Sequence, residues 1–116
     1  MSFALDAHFA IAFLTVLCAL LLGWIPLGQR VVLTVLTIES ALGIAAAAAH
    51  PAYHAVTGGL RLHIAGGIAA IACYAAALRI NERAKRPAAA AFALSFAGLI
   101  AVAATLWHGA MLAAPH

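Results

Sequence analysis

The chain has 116 residues, of which 67% are hydrophobic and 8% are charged, and its mean hydropathy is +1.11. This composition excludes a soluble domain and indicates an integral membrane protein. The formal net charge of +3 comes from few, scattered residues, which excludes a nucleic-acid-binding surface. Cys18 and Cys73 lie in apolar runs without the spacing of a zinc finger or a redox dithiol, so no disulfide framework is expected.

Four apolar runs predict four membrane-spanning helices, over about 8–26, 31–50, 60–80 and 88–112. The first run ends at Pro26 to Gly28, where proline and glycine are expected to stop the helix. The second ends at His50, before Pro51. Because the connections are short, consecutive helices should be antiparallel neighbours. The expected fold is therefore all-α and integral to the membrane, an up-down bundle of four transmembrane helices in one domain over 1–116.

The basic residues predict how the bundle is oriented. Arg61 lies alone at one predicted membrane face, whereas the other face is flanked by Arg30, Arg79, Arg83, Lys85 and Arg86. Short loops rich in basic residues stay on the cytoplasmic side. We therefore expect a multi-pass protein of the cell membrane with both termini outside. In a Gram-negative bacterium this would be the inner membrane, and the outer face would be the periplasmic face.

All six histidines fall on the predicted outer side; they are His8, His50, His54, His63, His108 and His116. Each of the four spans contributes one histidine at a similar depth, and the predicted inner face has none. His54 in a loop and His116 at the tail are the expected bystanders. A single histidine at an interface needs no function, but this one-sided set indicates a shared site.

Helical periodicity predicts that the four span histidines point toward the bundle axis, because each shares its helix face with small or polar residues. The four stripes are His8 with Ala12, Thr15 and Ala19; His50 with Ala46, Gly43 and Glu39; His63 with Gly66, Gly67, Ala70 and Tyr74; and His108 with Thr105, Ala104, Ala101 and Ala97. Small residues mark close helix packing in lipid. The alternative is that these stripes only mediate packing and arise by chance in an alanine-rich sequence.

A short internal repeat supports a common centre. Both odd-numbered spans contain a histidine, nine further residues and a cysteine, from His8 to Cys18 and from His63 to Cys73. Two halves with the same topology would be related by an axis along the membrane normal. His8 and His63 would then face each other across the bundle, with the remaining two histidines forming a crosswise pair.

Two inward imidazoles on opposite helices, beside small residues, are what a six-coordinate haem requires. Gly66 and Gly67 would give the haem a flat wall, and Arg61 would pair with its propionates. The pattern resembles membrane b-type cytochromes, which are four-helix bundles with paired histidines and glycines near the ring.

That resemblance implies a haem b held by His8 with His63, or by His50 with His108. It also implies electron transfer, often to or from a quinol, by the protein alone, as a homo-oligomer, or as an accessory subunit of a larger membrane redox complex. Because the predicted inner face has no matching histidines, we expect one haem near the outer face and no second haem.

Two other interpretations remain open. The same four histidines could bind copper or zinc, with Asp6 as a further or supporting oxygen. Glu39 lies near the middle of the second span, where a carboxyl group is costly and is either a hydrogen-bonded structural acid or a proton relay. The length, the four spans and the embedded glutamate resemble small multidrug-resistance exporters, although in that family the glutamate is in the first helix. The sequence contains no catalytic motif.

Overall fold

The structure is a computed structural model that describes residues 3–54, 57–84 and 88–113. It contains a 3₁₀ turn at Pro51–Tyr53 and four long helices: α1 (Phe3–Leu22), α2 (Pro26–Ala49), α3 (Gly58–Ala84) and α4 (Ala89–Ala113). All four helices are long and apolar enough to cross a membrane. Each helix packs against two neighbours, and α1 and α3 lie on a diagonal of the bundle. The predicted four-helix membrane bundle is confirmed.

The junction between α1 and α2 differs from the prediction. Pro26 does not stop a helix but begins α2, after Ile25 with extended backbone angles (φ −121°, ψ 155°). Proline suits this position because the first turn of a helix has no partner for its missing N–H. Gly28 is buried, and a side chain there would overlap the carbonyl of Leu22. Glycine therefore lets α2 start in close contact with the end of α1.

The other helix ends lie within a few residues of the predicted ones. The second helix ends at Ala49, and His50 is its C-cap, as the following Pro51 predicts. The first helix begins earlier, at Phe3, and the third continues to Ala84. The predicted inner-face residues Lys85 and Arg86, and the tail residue His116, lie outside the described residues.

The predicted inward faces of α1, α2 and α3 are confirmed. Their buried residues include Ala12, Thr15 and Ala19 on α1, Glu39 and Ala46 on α2, and Ala70 and Tyr74 on α3. The large apolar residues of α1, such as Phe13 and Leu17, are exposed on the opposite side, where lipid would surround them.

The predicted inward face of α4 is right only in part. Ala101 and Thr105 are half-buried, but Ala97 and Ala104 are exposed, and the buried positions of this helix include Ser95 and Val102. Because α4 has alanines on all sides, small size does not distinguish its buried face from its lipid face. The face with the buried positions continues to Thr105 and Gly109, which lie on either side of His108 in the sequence.

The bundle has two different ends separated by an apolar centre. We call the end with His8 and His63 the histidine end. The opposite end, where Arg30 of α2 forms an ion pair with Glu82 of α3, is the arginine end. Between them lies a core of Ala19, Val32, Leu36, Ala70, Tyr74 and Val102. Which end faces the cytoplasm stays a prediction.

Candidate functional site

His8 and His63 face each other across the bundle axis. Their ring centroids are 5.9 Å apart and their planes are nearly perpendicular, at 82°. The two histidines belong to the diagonal helices α1 and α3, so each imidazole reaches toward the axis from an opposite side. The facing arrangement is the one that the internal repeat predicts.

Each of the two imidazoles is bound through Nδ1 to a backbone carbonyl. Nδ1 of His8 lies 2.7 Å from the carbonyl oxygen of Glu39, and Nδ1 of His63 lies 2.9 Å from that of Thr105. Since a carbonyl can only accept, Nδ1 carries the hydrogen in both rings. A neutral imidazole then has an unprotonated Nε2, the state in which histidine binds metals. Among the described residues neither Nε2 has a hydrogen-bond partner.

The glycines that lie against the histidine rings are Gly43 and Gly109. That Gly66 and Gly67 form a flat wall for a haem stays a prediction. A side chain on Gly66 would overlap the hydroxyl of Thr105, and one on Gly67 would meet nothing within 4 Å. Gly66 therefore serves the contact between α3 and α4.

Glu39 joins this site through its side chain. The residue is 8% exposed, and its Oε2 lies at the hydrogen-bonding distance of 2.9 Å from the Thr15 hydroxyl. Its carboxyl group is also close enough to His63 for an electrostatic interaction. The embedded carboxyl group therefore belongs to the histidine end.

The remaining histidines have other surroundings. His50 caps α2, and its ring packs edge-on against Tyr53, with centroids 6.3 Å apart. Nε2 of His54 donates to the carbonyl of Ala48 at 3.1 Å, while His108 is half-buried on α4. In the described ranges, no three or more His, Cys, Asp or Glu side chains are grouped so that they could hold a metal ion. The structure thus pairs two of the four predicted ligands.

The other predicted contributors, Arg61 and Asp6, are exposed, each near the start of its helix. Cys18 and Cys73, which were not predicted as ligands, have free, half-buried thiols. An apolar groove of about 370 Å³ between α1 and α4 contains no histidine in its lining, which consists of Phe9, Phe13, Val16, Ala103, Leu106, Trp107 and Ala110.

A buried polar chain at the arginine end was not predicted from the sequence. The backbone N–H of Ala88 donates to Oδ1 of Asn81 at 3.2 Å, and Nδ2 of Asn81 donates to Oε1 of Gln29 at 3.3 Å. Nε2 of Gln29 in turn donates to Oγ of Ser95 at 3.0 Å. This chain connects α2, α3 and α4. Gln29 and Asn81 lie just beyond the predicted spans, where the sequence indicated solvated connections.

No protein family, no curated protein and no solved structure matches this chain. Its class is defined by the fold and the composition: a small integral membrane protein with four membrane-spanning helices.

Proposed function

We propose that this protein binds one b-type haem through His8 and His63 at the histidine end. It would pass electrons, alone or as a subunit of a membrane redox complex with a quinol as one partner. The observation that carries the proposal is the facing pair of imidazoles, each bound to a backbone carbonyl through Nδ1, which leaves Nε2 of each ring available as a ligand when the ring is neutral.

The donor set and the spacing fit such a group. Neutral imidazoles are ligands that a haem iron accepts, and those of His8 and His63 come from diagonal helices with ring centroids 5.9 Å apart. When bound there, haem would supply one-electron chemistry, which favours electron transfer.

The protein's own residues would orient the ligands and shield them. The carbonyls of Glu39 and Thr105 hold the two rings. Arg61 is exposed two residues before His63 on α3, where a propionate could pair with it. Of the two predicted wall glycines, only Gly67 has open space beside it.

A second candidate function rests on Glu39. The buried carboxyl group and its hydrogen bond with Thr15 fit a proton carrier within a membrane. In that case the chain would couple proton movement to redox chemistry or to transport.

The test is the visible absorption spectrum of protein purified from haem-replete cells, oxidised and then reduced with dithionite. We expect a low-spin spectrum that becomes high-spin, or disappears, in His8→Ala and in His63→Ala. His54→Ala is the matched control, because that ring is bound to the Ala48 carbonyl near the end of α2, and should leave the spectrum unchanged.

Three outcomes would contradict the proposal. A colourless wild-type protein would exclude haem, and stoichiometric copper or zinc in it would favour a metal site at the histidine pair. Loss of the spectrum in His50→Ala and His108→Ala, but not in His8→Ala and His63→Ala, would move the haem to the other pair.

A further inference from the structure

We infer that Gly43 and Gly109 are positioning residues for the two imidazoles. Each works together with the backbone carbonyl four residues before it. We call these two combinations the first cradle (Glu39 carbonyl and Gly43, holding His8) and the second cradle (Thr105 carbonyl and Gly109, holding His63). The identity of the group bound between the rings rests on the proposed function; the cradles themselves do not.

The distances show how little space each cradle leaves. A Cβ atom on Gly43 would lie 2.9 Å from Cε1 and 3.2 Å from Nδ1 of His8. A Cβ atom on Gly109 would lie 2.9 Å from Cε1 and 3.2 Å from Nδ1 of His63. The edge of each ring that donates to the carbonyl is therefore the edge that lies against the glycine.

Helix geometry explains the spacing. Residues four apart lie on the same face of a helix, one turn above the other. A ring bound to the carbonyl of one residue therefore covers the position four residues later. A Cβ atom there would displace Cε1 and disturb the bond at Nδ1, whereas glycine leaves the contact intact.

The two cradles are related by the internal repeat. His63 follows His8 by 55 residues, as Cys73 follows Cys18, and Thr105 and Gly109 follow Glu39 and Gly43 by 66 residues. The same offset of 66 pairs buried residues of α2 with buried residues of α4, namely Gln29 with Ser95, Val32 with Gly98, and Leu36 with Val102. The repeat thus extends over both hairpins, and each hairpin holds one imidazole.

What the two halves share identifies the function of the cradle. The Glu39 side chain has a threonine as its counterpart, and Thr15 of α1 has Ala70 of α3, so the polar side chains differ. The carbonyl, the glycine and the histidine are the same in both halves. In each half, the shared carbonyl and glycine both contact the imidazole ring, so the cradle orients that ring. The side chain of the residue that supplies the carbonyl can therefore differ between the halves.

A fixed tautomer is the measurable consequence. Both cradles require the hydrogen on Nδ1, which presents the Nε2 lone pair of His8 and of His63 to the centre of the bundle. The experiment is ¹⁵N NMR of histidine-labelled protein, prepared without haem, in detergent micelles at a pH that keeps the imidazoles neutral. We expect His8 and His63 to show the Nδ1–H pattern.

Variants then separate the cradles. Gly43→Ala should shift the ring signals of His8 and reduce its Nδ1–H population, leaving His63 unchanged, and Gly109→Ala should do the reverse. Gly58→Ala is the matched control, because a Cβ atom there meets nothing within 4 Å, and should change neither ring.

Nε2–H tautomers at both rings of the wild-type protein would overturn the inference, and this measurement needs no variant to fold. Unchanged ring signals in both folded alanine variants, or equal changes in the control, would also overturn it. Since the protein carries no haem in these measurements, a missing haem spectrum would refute the proposed function and leave this result intact.

Discussion

The Thr15 hydroxyl lies 2.9 Å from Oε2 of Glu39 and 2.8 Å from the backbone carbonyl of Ile11 on its own helix. One hydroxyl hydrogen cannot fully serve two acceptors. A proton on the Glu39 carboxyl would supply the second hydrogen bond, with the Thr15 oxygen as its acceptor. The geometry thus favours a neutral carboxyl group at this position.

Substitutions at this contact test that arrangement. Glu39→Gln should fold with nearly wild-type stability, because the amide offers both an acceptor and a donor. Thr15→Val should lower the free energy of unfolding by about 1–3 kcal/mol, since it leaves the carboxyl group without its partner. Thr37→Val is the control, because that hydroxyl is exposed and bound to the Leu33 carbonyl of its own helix. Chemical unfolding in mixed micelles measures all three variants.

Infrared spectroscopy tests the proton on Glu39 directly. The wild-type protein should show a protonated carboxyl band at neutral pH that is missing in Glu39→Gln. An ionised carboxylate band assigned to Glu39 would contradict the prediction and would require a cation or a basic partner beside it.

The polar chain at the arginine end should contribute to stability. Gln29 is fully buried and links Asn81 to Ser95, so Gln29→Leu leaves the donor Nδ2 of Asn81 and the acceptor Oγ of Ser95 unpaired and should cost about 1–3 kcal/mol. In a double-mutant cycle, Gln29→Leu and Ser95→Ala should be less than additive because both remove the same bond. Thr34→Val, which removes an exposed hydroxyl bound within its own helix, is the control. Additive effects would show that the bond contributes nothing.

The sequence predicted three of the four inward helix faces, and the partial failure on α4 has a specific cause. On α1 the large residues Phe13 and Leu17 oppose the small stripe of His8, so periodicity separates the lipid face from the packed face. On α4 the alanines at 97 and 104 are as small as the buried residues. There the contacts with neighbouring helices determine which side is buried.

The histidines of the site could be predicted, but their supports could not. A backbone carbonyl is present at every residue, and the absence of a side chain at Gly43 or Gly109 acquires meaning only when a ring from another helix lies over it. That depends on the vertical register between helices, which periodicity within one helix does not contain. The hydrogen bond between Gln29 and Ser95 could not be predicted for the same reason, because it also depends on the register between two helices.

The orientation in the membrane is tested by labelling intact cells with an impermeant thiol reagent. In a background without Cys18 and Cys73, Ser2→Cys should react from outside, whereas Ala84→Cys should react only after permeabilisation, because the basic residues near it favour the cytoplasm. Reaction at position 84 and protection at position 2 would reverse the topology.

The last prediction concerns Tyr74, whose side chain is fully buried in the apolar centre. Its ring lies between two glycines. A Cβ atom added to Gly23 would lie 3.1 Å from Cε1 of the ring, and one added to Gly98 would lie 2.7 Å from Cε2. Its hydroxyl has no hydrogen-bond partner among the described residues.

Tyr74→Phe removes that buried, unpaired group and keeps the ring, so it should leave the protein as stable or stabilise it by up to about 1–3 kcal/mol. Gly98→Ala should destabilise it by about 1–3 kcal/mol, because the added methyl overpacks the ring. Tyr53→Phe, in the connection after α2, serves as the control for loss of a tyrosine hydroxyl outside the core. Unfolding in mixed micelles compares these variants, and a loss of more than about 1 kcal/mol in Tyr74→Phe would show that the hydroxyl has a partner, such as a bound water molecule.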